Sequence, residues 1–207
     1  MKKRSSYILN TMKEMYPNAR CELDYQDLYQ LSISVILSAQ TTDKRVNMVT
    51  PDLFKVYPDP KSLSNADVVD VETIIKSIGL YKNKARNIVL FAKDVTNRFN
   101  GLVPSNYGDL ISLPGIGRKT ANVILSEGFR IPRIAVDTHV ERVSKRLRFA
   151  SQDASILQVE EALMQEFDEQ DWHQAHLAIL FFGRYFCLAK NPNCDICPFY
   201  KKECIKK

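Results

Sequence analysis

The chain has 207 residues, 45% of them hydrophobic and 26% charged, enough to bury a core in one or two domains. Its net charge of +5 is compatible with a polyanionic partner but too small to establish one. No run approaches the ~18 apolar residues of a membrane span, and Tyr7-Ile8-Leu9 after the basic start is broken by Asn10, Lys13 and Glu14, so no membrane or secreted protein is expected.

Helical periodicity dominates, and no period-2 run of strand length stands out. Asp24 is placed to cap a helix to about Ala39, with Leu28, Leu31, Val35 and Ile36 on one face. Asp43 is placed to cap a second helix that runs towards Tyr57 and stops at Pro58 and Pro60. Ser64 with Asp67, and Ser155 with Gln158, have the spacing of capping boxes. Residues 84–99 read as an amphipathic helix that ends before Gly101, 105–112 as a short helix, and 118–127 as a helix closed by Gly128. Asp137 is placed to cap 138–147, and Asp171 a last long helix to about Cys187. Connections are short and carry Pro, Gly, Asn or Ser, with no repeat and no linker-like stretch, so an all-α fold is predicted.

Between two of these helices lies Leu113-Pro114-Gly115-Ile116-Gly117-Arg118-Lys119-Thr120, with two of the seven glycines two residues apart. Glycine admits positive φ and close backbone approach. The turn opens a helix whose first amides lack partners, a natural seat for a phosphate oxygen, and Arg118 and Lys119 add positive charge. An ordinary tight turn between packed helices has the same local pattern. Eighteen residues beyond Lys119, an apolar run delivers Asp137 in Ile134-Ala135-Val136-Asp137-Thr138-His139-Val140. Taken singly, Asp137 is an N-cap and Lys119 a surface phosphate contact. Taken together, they are the pair a nucleophilic amine needs: a lysine activated by desolvation, and a carboxylate to take its proton and stabilise developing positive charge.

Of five cysteines, Cys187, Cys194, Cys197 and Cys204 crowd the end of the chain with six, two and six residues between them. In the reducing compartment expected here, disulfides are rare. Only one knuckle, Cys194 to Cys197, has zinc-site spacing, whereas one short and two wider spacings suit a cubane cluster. Spacing alone leaves both metals open.

The hairpin string, the Val136-Asp137-Thr138-His139-Val140 run and their separation resemble the endonuclease III family of helix-hairpin-helix DNA glycosylases. Leu37-Ser38-Ala39-Gln40-Thr41-Thr42-Asp43, Gly79-Leu80-Tyr81 and Asn83-Lys84-Ala85 are also similar to that family. The matched motifs span Leu37 to Cys204, nearly the whole chain. The resemblance implies Lys119 as the Schiff-base nucleophile and Asp137 as the catalytic carboxylate, facing each other across a cleft between two helical lobes. It further implies a [4Fe–4S] cluster on Cys187, Cys194, Cys197 and Cys204; the family's last spacing is five, one shorter than here. The lobes would be residues 21–131, a six-helix bundle with the hairpin, and 1–20 with 132–207, carrying the cluster.

Gln40 and Leu80 are expected to enter the gap left by a flipped base; without the resemblance they read as a helix-end residue and an apolar anchor. Leu113, Gly115, Gly117, Arg118, His139 and Lys190 are the further DNA contacts expected, with Lys201 and Lys202 near the cluster loop. His173 and His176 read as packing or surface residues, and Cys21 as a small buried apolar one. The implied activity is removal of oxidised or ring-damaged pyrimidines from duplex DNA with β-elimination at the abasic site, by a cytoplasmic, nucleoid-associated monomer. A mismatch-specific thymine or uracil glycosylase of the same fold, and a non-enzymatic DNA-binding module with a zinc knuckle, are the alternatives.

Overall fold

Capping side chains divide the chain into short helices, and the computed structural model, which describes residues 3–204, contains no strand among them. Helix α1 spans Lys3–Met15, α2 Leu28–Leu37, α3 Asp43–Asn47, α4 Thr50–Val56, α5 Pro60–Ser64 and α6 Val68–Ile75. They are followed by α7 (Tyr81–Arg98), α8 (Tyr107–Ile111), α9 (Arg118–Val123), α10 (Thr138–Arg146), α11 (Ile156–Glu166) and α12 (Trp172–Phe181). Helices α9 and α12 each run on into a π-helical turn, Ile124–Gly128 and Phe182–Phe186. No helix among the described residues is long and apolar enough to cross a membrane.

Several starts differ from the sequence reading, and the hydrogen bonds say why. Asp27, not Asp24, caps α2, its carboxylate accepting from the Gln30 N–H at 2.8 Å, while the Asp24 N–H donates to Asn47. Thr42 caps α3 through its hydroxyl, which leaves Asp43 as a first-turn acid favoured by the helix dipole. The capping box lies at Asp59 and Ser62, with Pro60 in the first turn; Ser64 ends that helix, and Asp67 caps α6 alone, accepting from Val69 N–H at 2.9 Å. Asn106, within the stretch expected to be helical, caps α8. Asp171 precedes α12 without a side-chain cap bond, because a 3₁₀ turn at Glu169–Asp171 already leads into the helix. The Ser155–Gln158 box is present as read.

The chain folds as two compact units, Met1–Cys21 with Ile131–Lys207, and Glu22–Arg130. In the second, α7 packs on α5 and α6, and α2 packs on α7, α9 and the π-turn that follows α9. Leu31, Ile33, Leu37, Leu53, Ile88 and Phe91 are fully buried there, each contributing about 1.5–3 kcal/mol by leaving water. In the first unit, α10 packs against α11 and α12, and α1 lies on α12. Ile8, Met12, Val140, Val143, Leu163, Phe182 and Phe199 form its core.

Candidate active site

The hairpin joins α8 to α9 and is seated from below by apolar side chains. Leu113 and Ile116 are 2% and 6% exposed, so they anchor the turn while the residues between and after them face out. The Leu113 side chain thus packs into the protein rather than facing out. Gly115 has φ +79°, and a Cβ there would lie 3.1 Å from both Asn87 Cβ and Ile36 Cγ2, so this position needs glycine twice over. Gly117 is different: its backbone is extended at φ −98°, and a Cβ would meet open space. It serves as the N-cap of α9 with no side-chain cap bond, so the first amides of α9 are left facing outward. Arg118 and Lys119 are exposed beside them, and the Arg118 guanidinium stands 5.9 Å from the Tyr107 ring centre.

Asp137 caps α10 as its position predicts. Both bonds fall on Oδ1, from His139 N–H at 2.9 Å and Val140 N–H at 2.8 Å, so the half-buried carboxylate is held rigidly by one oxygen. No described hydrogen bond uses Oδ2. Close packing fixes the helix itself: a Cβ on Gly183 would lie 3.0 Å from His139 Cβ and Val143 Cγ2. His139 is half-buried, its Nδ1 3.3 Å from Arg142 Nη2, which turns part of the ring towards the protein.

The far end of α10 holds the cysteine loop. Arg142 Nη2 donates to Gly183 O at 2.7 Å and to Cys187 O at 3.1 Å. Arg146 donates to Leu188 O at 2.7 Å and to Ala189 O at 3.2 Å, and its Nη1 lies 3.2 Å from Cys187 Sγ. Burial lowers the Arg142 pKa, Arg146 lowers it further, and Cys187 and Asp137 oppose the shift. Cys187, Cys194, Cys197 and Cys204 are all half-buried, and none is in a disulfide. Burial pushes the Cys197 thiol up; N–H groups of Phe199 and Tyr200 counter it, and Cys187 and Cys204 are near enough to add to it. Fully buried Phe199 pins the loop by edge contacts with Tyr7 and Phe182. Arg4 adds a bond to Glu203 at 2.5 Å and another to Leu147 O. Lys190, Lys201 and Lys202 are exposed. Among the described residues, no three His, Cys, Asp or Glu side chains are set as ligands of a metal ion.

Gln40 and Leu80 are exposed and both have left-handed backbones, φ 54° and 59°, a conformation that costs side-chain-bearing residues. Leu80 is also the N-cap of α7, which begins at Tyr81, earlier than the amphipathic pattern places it. Periodicity carries no mark of a left-handed residue, so the sequence did not disclose it. His176 is buried and His173 half-buried within α12, as packing residues, and Cys21 is half-buried rather than buried.

A helical fold with this hairpin, an outward lysine and a capped aspartate has counterparts among known proteins. Residues 33–169 match the model of the HhH-GPD superfamily base excision DNA repair proteins. Endonuclease III of Bacillus subtilis (strain 168) is 45% identical over 95% of this chain and 90% of its own length. A non-covalent endonuclease III–DNA complex superposes with a TM-score of 0.94 at 45% identity, covering 99% of this chain and 96% of that one. A trapped endonuclease III–DNA covalent intermediate, an estranged-adenine complex, gives 0.91 at 46% identity, covering 96% and 94%. The chain belongs to the endonuclease III family.

Proposed function

We propose that the chain is a bifunctional base-excision repair enzyme, a DNA glycosylase and abasic-site lyase that acts on damaged duplex DNA. The observation that carries this reading is the 45% identity to endonuclease III over nearly the whole chain, with an exposed hairpin lysine, Lys119, in one unit and a rigidly capped carboxylate, Asp137, in the other. The substrate class is oxidised or ring-damaged pyrimidines.

The Lys119 amine, once deprotonated, attacks the sugar C1′ and the damaged base leaves with the glycosidic electron pair. Asp137 carries the negative charge that offsets the growing positive charge on the sugar and takes the lysine proton, for which Oδ2 is the oxygen not engaged in the cap. The sugar ring opens to an iminium between Nζ and C1′. Loss of a C2′ proton then breaks the bond from C3′ to its oxygen, cutting the strand on the 3′ side. The outward amides of α9, with Arg118, bind phosphate oxygens that position the strand. Gln40 and Leu80 fill the space from which the base has left. His139 and Lys190 are further DNA contacts.

Cys187, Cys194, Cys197 and Cys204 would hold a [4Fe–4S] cluster: their donor chemistry, thiols with backbone N–H groups on Cys197 and Arg146 beside the Cys187 sulfur, suits that group, although the described side chains do not stand together as metal ligands. When bound, it supplies a fold-stabilising cross-link and no step of base removal. The protein's own contribution there is Arg142 and Arg146, which tie the loop to the helix that Asp137 caps. With DNA as substrate, the protein acts as a monomer at the nucleoid.

The test is a panel of duplexes bearing oxidised pyrimidines, mismatched thymine or uracil. Base release with strand cleavage on oxidised pyrimidines is expected; release confined to mismatches, without cleavage, would overturn the reading.

A further inference from the structure

Lys84 lies in the first turn of α7 and is only 4% exposed, although it carries a charge that burial penalises. A purely architectural position there could be filled by methionine or leucine at lower cost, so the amine needs a return for its desolvation. Its bonds indicate what that return is. Lys84 Nζ donates to Thr41 Oγ1 at 2.7 Å, and Thr41 directly follows Gln40. The Lys84 backbone N–H donates to Leu80 O at 3.1 Å. One residue thus holds both segments whose left-handed residues are exposed. Arg45 Nε adds a parallel tie to Ser77 O at 2.9 Å, and the two loops meet where a Cβ on Gly79 would lie 4.0 Å from Gln40 O.

We propose that Lys84 is a positioning residue that sets Gln40 and Leu80 as a single two-pronged wedge, so that both prongs enter the duplex together. The proposal rests on the reading of those two residues as gap-filling. A left-handed backbone at a residue with a side chain persists only where its surroundings over-determine it. The Lys84–Thr41 bond is the charged, part-buried tie that does so for the Gln40 loop, and the α7 backbone does so for Leu80.

The test uses the whole protein with a duplex carrying a tetrahydrofuran abasic analogue beside 2-aminopurine, whose fluorescence rises as the stack is opened. Gln40→Ala with Leu80→Ala should remove most of the rise. Lys84→Met and Thr41→Val should each weaken lesion binding about tenfold or more, the worth of a hydrogen bond to a charged group, and lower the rise. The Lys84→Met/Thr41→Val pair should be no worse than Lys84→Met, because both remove one bond. Thr41→Ser, which keeps the hydroxyl, should retain the rise, a rescue that a generic packing role does not predict. Should Lys84→Met not fold, Thr41→Val against Thr41→Ser decides alone. A normal rise in Lys84→Met and Thr41→Val, with loss in the Gln40/Leu80 variant, would overturn the positioning role only. A normal rise in the Gln40/Leu80 variant would overturn the wedge reading, and the proposal with it.

Discussion

Asp137 has an observed role as a helix cap and a proposed one as the catalytic carboxylate, and the two separate cleanly by substitution. Asn caps helices about as well as Asp, since both offer an oxygen to the first amides, but Asn cannot accept the lysine proton or carry negative charge. Asp137→Asn should leave thermal stability nearly unchanged and lower base release by about 10²–10⁴-fold. Asp137→Ala should lose both, with about 1 kcal/mol of stability gone, read from thermal unfolding beside a single-turnover assay. The cap was legible in the sequence because the aspartate stands at the mouth of an amphipathic segment. The proposed catalytic role was suggested by the companion lysine and became specific only through the resemblance. Gly115 and Gly117 show the same limit: the doublet is visible, but not that Gly115 alone needs a positive φ while Gly117 is an open cap.

At the level of elements, helices with strong side-chain caps were readable, with shifts of a few residues where two candidate caps compete, as Asp24 and Asp27 do. The π-turns at Ile124–Gly128 and Phe182–Phe186 were not readable, because one extra residue in a turn arises from tertiary packing and leaves the apolar pattern intact. The second matters for the site. It sets Gly183 against α10 and delivers Cys187 to Arg142 and Arg146. Gly183→Ala should force the neighbouring helix to shift, at a cost of about 1–3 kcal/mol, seen as a drop in Tm of about 2–4 °C per kcal/mol. Arg146→Met should remove the donors to Leu188, Ala189 and Cys187. Its expected signature is faster loss of iron and visible absorbance under chelator, with helix content by circular dichroism held until the iron has gone.

Across the whole molecule, the all-helical architecture followed from composition, periodicity and turn residues. The division into Glu22–Arg130 and the remainder had no linker to announce it: the N-terminal helix α1 packs with the C-terminal elements, a long-range contact that no local pattern encodes. A net charge of +5 is too small to set DNA affinity by itself, so on the proposed function that affinity falls to a few placed cations. Affinity for duplex DNA should fall linearly in log–log form as salt rises. Arg118→Ala should weaken binding evenly across sequences and make that slope shallower by about 1.

The central claim is that Lys119 becomes covalently joined to the abasic sugar. Borohydride trapping on an abasic-site duplex, comparing the native protein with Lys119→Ala, addresses it directly. A reduced covalent adduct with the native protein and none with the variant is the predicted result. An adduct of equal yield from Lys119→Ala, or none from the folded, iron-replete native protein, would contradict it.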